Sequence, residues 1–304
     1  MLMHAYNIAR GERTMGEPDR RADGWCFGLP PGIAPEQWPL DPITRRPLMH
    51  GFTLKLTEDQ RVHGPEIVGF SFIATSPEGN DGGPRDRNLA AEAIVDRPGG
   101  ARPDDPALAA LWDLTRQVHP RVHRMRDILD YGYAVLLLGQ AEYDGACCLP
   151  PVPAVPPELL GECPAWPTQG SMLSFDRFEG HHDVADVADP LRLHRPLTLN
   201  VRSGDLNAGL APRELYDDTP GDTGYRAHYY WLDDTIAPDN YRVHDWAKDH
   251  TANHLGGTMR PIQAVPEDFS AFYVGFEEHL GGYNFGGGNA QLDFKSMRVE
   301  WACG

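Results

Sequence analysis

The spacing of apolar and polar residues changes several times along this chain, and each change predicts an element. Phe52-Thr53-Leu54-Lys55-Leu56 alternates strictly, as a strand with one buried face does, and residues 67–73 continue in strand character. Residues 133–138 form an apolar run of strand length, which predicts a buried strand. Further strands are predicted at 171–175, 197–201, 228–232, 271–276, 290–294 and 297–301. A helix is predicted where Asp105 stands as N-cap before Pro106, because Leu108, Leu111, Trp112, Thr115 and Val118 then share a face. Pro120 breaks or kinks that helix before Val122, Met125, Ile128 and Leu129 prolong the apolar stripe. Residues 1–24 are polar without a period and read as a loosely packed lead-in; residues 77–84 read as a loop. The proline-rich stretch 150–157 is stiff and extended, a natural connector between an N-terminal part, 25–149, and a C-terminal part, 158–304.

Glycines punctuate the later strands. His254-Leu255-Gly256-Gly257 recurs as His279-Leu280-Gly281-Gly282, and the second copy runs into Tyr283-Asn284-Phe285-Gly286-Gly287-Gly288. Paired glycines beside aromatics mark tight turns or close backbone approaches. They do not make a phosphate loop, which needs a strand–glycine–helix order and a Lys-Ser/Thr pair.

These residues carry a resemblance. The stretch from His254 to Gln263 resembles an element of the YwqG-like family, a bacterial domain of unknown function. Phe285 to Gly288 together with Trp301-Ala302-Cys303 is similar to that family's closing segment, and Gly28 to Gly32, Trp38-Pro39 and Pro47-Leu48 to its opening one. In this chain the opening element lacks the paired glycine, and Met259-Arg260-Pro261 shifts the proline of the element from His254 to Gln263. The resemblance implies a β-rich, internally duplicated fold without established enzymatic chemistry. It also implies a place among the immunity partners encoded beside secreted bacterial toxins.

Composition narrows the classes. With 304 residues the chain can bury a sizeable core as one large domain or two halves, and its 32 Gly and 28 Pro favour turns over long helices. The longest apolar run, at 134–138, is far short of a membrane span. The first residues lack the pattern of a signal peptide, and the five cysteines have no zinc spacing, so reduced thiols in a cytoplasmic protein are expected. Net charge is −17, and it is uneven: −3 over residues 1–130 and −14 over residues 131–304. Such a surface repels nucleic acid and anionic lipid and attracts basic partners. It also serves solubility alone. The basic cluster Arg116, Arg121, His123, Arg124 and Arg126 reads as a solvated helix face.

In the acidic part, Asp217, Asp218, Asp222, Asp233 and Asp234 interleave with Tyr229 and Trp231. Turn-forming aspartates between core aromatics are one reading; an interface with aromatic anchors and pairing carboxylates is the other. A calcium loop at Asp217, Asp218 and Asp222 lacks EF-hand spacing. His244, Asp245, Asp249, His250 and His254 suggest a metal site if 250 and 254 share a helix face, but the zinc-protease glutamate is replaced by Thr251. His181, His182, Asp183 and His194 form a looser group, and neither Ser171 nor Ser203 has an identifiable base.

The expectation is an α+β protein, predominantly antiparallel β with two similar halves and a few helices. It acts without catalysis, cofactor or metal, binding and inhibiting a cognate basic toxin, such as a nuclease, without touching nucleic acid or membrane itself. The predicted contact is Asp217, Asp218, Asp222, Tyr229, Trp231, Asp233 and Asp234. The alternatives are a metal-dependent hydrolase built on His244 to His254 and a small-ligand binding module.

Overall fold

The apolar run near residue 135 forms β7 (Gly132–Gly139) in a computed structural model that describes residues 2–80, 87–181, 187–215, 222–232 and 240–304. Tyr133, Val135 and Leu137 enter one apolar cluster, while Leu136 and Leu138 enter another across the sheet. A strand covered on both faces needs apolar residues throughout, which is why alternation is absent here. β5 (Ile67–Ala74) beside it, and β4 (Met49–Lys55) beyond β5, are buried in the same way.

The other strands are β1 (Tyr6–Arg10), β2 (Thr14–Met15), β3 (Gly24–Phe27), β6 (Val122–Arg126), β8 (Leu193–Val201), β9 (Tyr229–Trp231), β10 (Tyr241–Val243), β11 (His254–Leu255), β12 (Tyr273–Glu277), β13 (Asn289–Asp293) and β14 (Arg298–Ala302). Among the described residues, twelve strands make one antiparallel sheet, ordered β14-β13-β12-β11-β1-β8-β3-β4-β5-β7-β6 with β2 beside β8; β9 and β10 form a separate ribbon. The sheet curls into a nearly closed, barrel-like shape around Phe52, Phe72, Phe276, Tyr283 and Phe285. Its two end strands, β6 and β14, approach each other. Across that seam Trp301 Nε1 donates to Asp127 Oδ2 at 2.6 Å, and the same oxygen accepts from the Tyr133 hydroxyl at 2.9 Å.

The division at the proline stretch is crossed repeatedly. β1 pairs with β11 on one side and with β8 on the other, and β8 also pairs with β3 and β2. The polar lead-in therefore needs correction: Ala5, Tyr6 and Ile8 are buried, and residues 6–10 form an interior strand. Its partners lie about two hundred residues away, so no local period announces it. Within the proline stretch, Val155 is buried with Leu159 against Ala91, Val95 and Leu111 of the first two helices.

Those helices are α1 (Leu89–Asp96), capped by Asn88, and α2 (Pro106–Thr115), capped by Asp105 through Leu108 N at 2.9 Å as expected. The stripe after Pro120 is not a helix. Residues 122–126 are β6, whose hydrogen bonds go to β7, and Ile128 and Leu129 lie exposed in the turn between them. The basic cluster is accordingly no helix face: Arg121 pairs with Glu142, Arg126 with Glu92 and Asp96, and Arg124 donates to Leu40 O. Three short helices complete the described set: α3 (Gln140–Tyr143), α4 (Trp166–Gln169) and α5 (Ser171–Phe178). The strand expected at 171–175 is thus part of a helix. Met172 and Phe175, three residues apart, both face the core, a spacing that five residues are too few to distinguish from a strand. Among the described residues no helix is long and apolar enough to cross a membrane.

Candidate interaction site

The first His-Leu-Gly-Gly segment is β11 followed by a turn in which Gly256 and Gly257 have φ of +62° and +79°. A Cβ on Gly257 would lie 2.3 Å from both Ala5 Cβ and Asp205 Oδ2, so only glycine fits. Asp205 organises this turn: Oδ1 accepts from the Thr258 hydroxyl at 2.7 Å and Oδ2 from the Thr258 amide at 3.0 Å. The Arg202 guanidinium, fully buried, lies 3.6 Å from Asp205 Oδ2 and donates to Thr258 O and Thr251 O. Buried charge demands such pairing, and the pair also reaches beyond the turn, Arg202 Nε to Asn7 Oδ1 of β1 at 2.5 Å and Asp205 Oδ1 to the Asn207 amide at 2.9 Å.

The histidines around this network do not assemble as a helix-borne pair. Residues 245–247 form a single 3-10 turn and 254 lies in β11, so His250 and His254 share no helix face. Among the described residues no three His, Cys, Asp or Glu side chains converge to hold a metal. His244 instead stacks on Trp246 at 6.0 Å. Burial first, and then the neighbouring Arg202, pushes the His250 ring down to about 4 and His254 well below its usual value. A fixed guanidinium that keeps both rings neutral also repels a metal cation. The second group does not assemble either: His194 is buried in β8 on Arg192 O, His181 is exposed, and His182 and Asp183 lie outside the described residues. The Ser171 hydroxyl is buried in α5 without a hydrogen-bond partner, and Ser203 is an exposed turn residue.

Beside the turn, the β9–β10 ribbon presents the aromatics singled out by sequence. Tyr229 and Trp231, two residues apart, share a face because side chains alternate along a strand, and Tyr241 lies opposite Trp231 in register. Tyr229 and Tyr241 stack at 4.9 Å, and Trp231 meets Tyr241 edge-on at 5.9 Å. Together with His228, Tyr225, Met259 and Ile262 they line a recess of about 290 Å³. Tyr241 OH lies 3.2 Å from His228 Nε2, and Tyr229 OH donates to Leu215 O at 3.2 Å. Burial, with Arg260 next, lowers the His228 ring to about 4, so it is neutral at physiological pH.

Of the predicted contact residues, Tyr229 and Trp231 are therefore brought together, half-buried at a concave surface, and Asp222 is exposed. Asp217, Asp218, Asp233 and Asp234 lie outside the described residues. Sequence reasoning passed over the recess roles of Tyr241, His228, Met259 and Ile262. Strand alternation around Tyr241 was an available signal; Met259 and Ile262 reach the recess only through the Gly256-Gly257 turn. No family model matches this chain, and neither does any curated protein or solved structure.

Proposed function

We propose that this chain is a non-enzymatic interaction protein that binds and inhibits a basic partner protein, as an immunity protein does its cognate toxin. The observation that supports this is where the acidity lies. Of the 25 acidic residues after position 130, seven fall in the segments 182–186, 216–221 and 233–239, which contain no lysine or arginine. The segment 216–221 follows Leu215 and the segment 233–239 lies between β9 and β10 in sequence, so two of the three are next in sequence to residues that line the aromatic recess. Carboxylates interleaved in sequence with aromatic residues are the composition of an interface that pairs with arginine and lysine. For a nuclease partner, these carboxylates would occupy the places of nucleic-acid phosphates. The five aspartates at 217, 218, 222, 233 and 234 carry the encounter in this reading, and Tyr229 and Trp231 anchor it.

The two-halves organisation belongs to the same proposal. β3 and β11 both end in two successive residues of positive φ, Phe27-Gly28 at +62° and +65° and Gly256-Gly257 at +62° and +79°. That pairing supports an internal duplication in which β1 and β8 have exchanged sectors.

The test is binding to the basic protein encoded by the adjacent gene, measured across salt concentrations. Affinity that falls with salt is expected. Replacing Asp217, Asp218 and Asp222 together by lysine should slow association by roughly tenfold or more while changing dissociation little. No complex, or one indifferent to salt, overturns the proposal.

A further inference from the structure

We propose that a cavity formed by the segments 41–47, 75–79 and 162–165 binds an organic cation, an ammonium or guanidinium group on an aliphatic stem. This rests neither on the basic partner nor on the β9–β10 recess. The cavity measures about 460 Å³, inside the range of small-ligand pockets, ~300–1,000 Å³. Asp41, Glu78 and Glu162 line it, and among the described residues no lysine, arginine or histidine does. Pro47, Pro164 and Ala165 supply apolar wall against which methylene groups can be buried.

Asp41 is 3% exposed, and its carboxylate ties two of the segments together. Oδ1 accepts from the Ile43 and Thr44 amides at 2.8 and 2.7 Å, and Oδ2 accepts from the Thr75 hydroxyl at 2.6 Å. Arg45 and Arg46, on the same loop, direct their guanidinium donors to the carbonyls of Leu159, Ile43 and Gly161. Among the described residues none of the three carboxylates has an ion-pair partner. Carboxylates alone do not define a site; Ser76 adds the second observation. It is 6% exposed, lines the cavity and precedes the 3-10 turn 77–79 as its N-cap, yet its side chain makes no capping bond. Its hydroxyl has no hydrogen-bond partner among the described residues, although buried hydroxyls nearly always have one. Ser76 Oγ lies 3.7 Å from where a Cβ on Gly79 would be, and Gly79 lines the same cavity. An N–H of an entering cation gives that oxygen a partner while the carboxylates balance the charge. Among the described residues no three acidic, Cys or His side chains converge to hold a metal ion, so a ligand of several atoms is what can reach these groups together. An anionic ligand is repelled by the same carboxylates.

The probe is 4-guanidinobutylamine, which carries both cationic groups, titrated by calorimetry against the full chain at fixed ionic strength. It should bind about tenfold or more tightly than neutral 1-pentanol and anionic glutarate. Glu78→Gln together with Glu162→Gln, both exposed positions, should weaken it roughly tenfold, and Ser76→Ala alone roughly fivefold. Cys163 is an exposed thiol in the lining, so alkylation by N-ethylmaleimide should block the cavity, whereas the Cys163→Ser variant treated alike should still bind. A thermal melt of each variant verifies that it folds. A capped Gly-Arg-Gly peptide that binds as tightly as the amine, and is blocked in the same way, supports the site with a protein side chain as its ligand. Weaker binding of the peptide supports it with a free small molecule. No preference for the cation over 1-pentanol overturns the proposal. Cation binding that survives the double glutamine change or the maleimide block overturns it as well, and either failure leaves the basic-partner proposal standing.

Discussion

His254-Leu255-Gly256-Gly257 and His279-Leu280-Gly281-Gly282 carry the same four side chains and fold differently. In the first, His and Leu form a buried strand and both glycines are left-handed. In the second, residues 278–280 form a 3-10 turn, His279 is exposed, Gly281 is extended at φ 164° and only Gly282, at +84°, is left-handed. Their glycines answer different needs. Gly257 makes room for Ala5 and Asp205, whereas Gly281 makes room for the Tyr283 hydroxyl, 2.4 Å from where its Cβ would be, and for Gly51. A shared motif specifies tolerance of close approach, and the neighbours decide which approach occurs.

The largest expected effect breaks the first copy. Gly257→Ala combines left-handed strain with a clash against a buried carboxylate and should cost about 3 kcal/mol or more in denaturant unfolding. A loss under about 1 kcal/mol would mean that Asp205 can retreat and that the turn is not rigid.

Gly281→Ala comes next. An added Cβ would lie 2.4 Å from the Tyr283 hydroxyl and 2.8 Å from Gly51 Cα, so the cost is overpacking, about 1–3 kcal/mol. Tyr283→Phe in the same background removes the obstructing hydroxyl, which has no hydrogen-bond partner, and should restore part of the loss, because the ring carbon at 2.7 Å and Gly51 Cα at 2.8 Å remain. If it does not, the clash with Gly51 is the real constraint.

The smallest effect separates the two histidines through pH. His254 sits in the folded protein with a pKa well below its ordinary value of 6.5, chiefly because it is buried. The unfolded chain thus binds a proton that the folded chain refuses, so stability present above about pH 6.5 is lost as pH falls. The slope for one such group approaches ~1.4 kcal/mol per pH unit. His254→Gln should flatten the stability profile between pH 6.5 and 4.5 by up to that amount, and His279→Gln, an exposed change, should leave its shape intact. Equal effects from both substitutions would count against the difference in burial.

Much of the fold was legible. Strands at 52–56, 67–73, 133–138, 197–201, 228–232, 271–276, 290–294 and 297–301 all contain or overlap observed ones, because two-residue periodicity and apolar runs survive in local sequence. The Asp105-Pro106 helix start was legible for the same local reason, a capping oxygen three residues from the amide it accepts. β1 was not: Tyr6 and Ile8 alternate correctly, but five residues with partners at 197–201 and 254–255 leave no local trace. β6 was misread as helix because its hydrogen bonds go to β7 and half-burial weakens its pattern. Of the candidate site, Tyr229 and Trp231 stood out through composition, whereas the lining residues Met259 and Ile262 arrive from a turn whose course is decided by Asp205.

By itself the sequence determined the β-rich class, the strands that must be buried, the helix caps and the places where a Cβ is forbidden. Each of these follows from backbone sterics or from periodicity within a few residues. The place of β1 between β11 and β8, the seam joined by Trp301 and Asp127, and the concave face of the β9–β10 ribbon were decided only in three dimensions. Hydrogen-bond and packing partners for those features lie up to some two hundred and fifty residues apart, and their free energy depends on burial that no segment achieves alone.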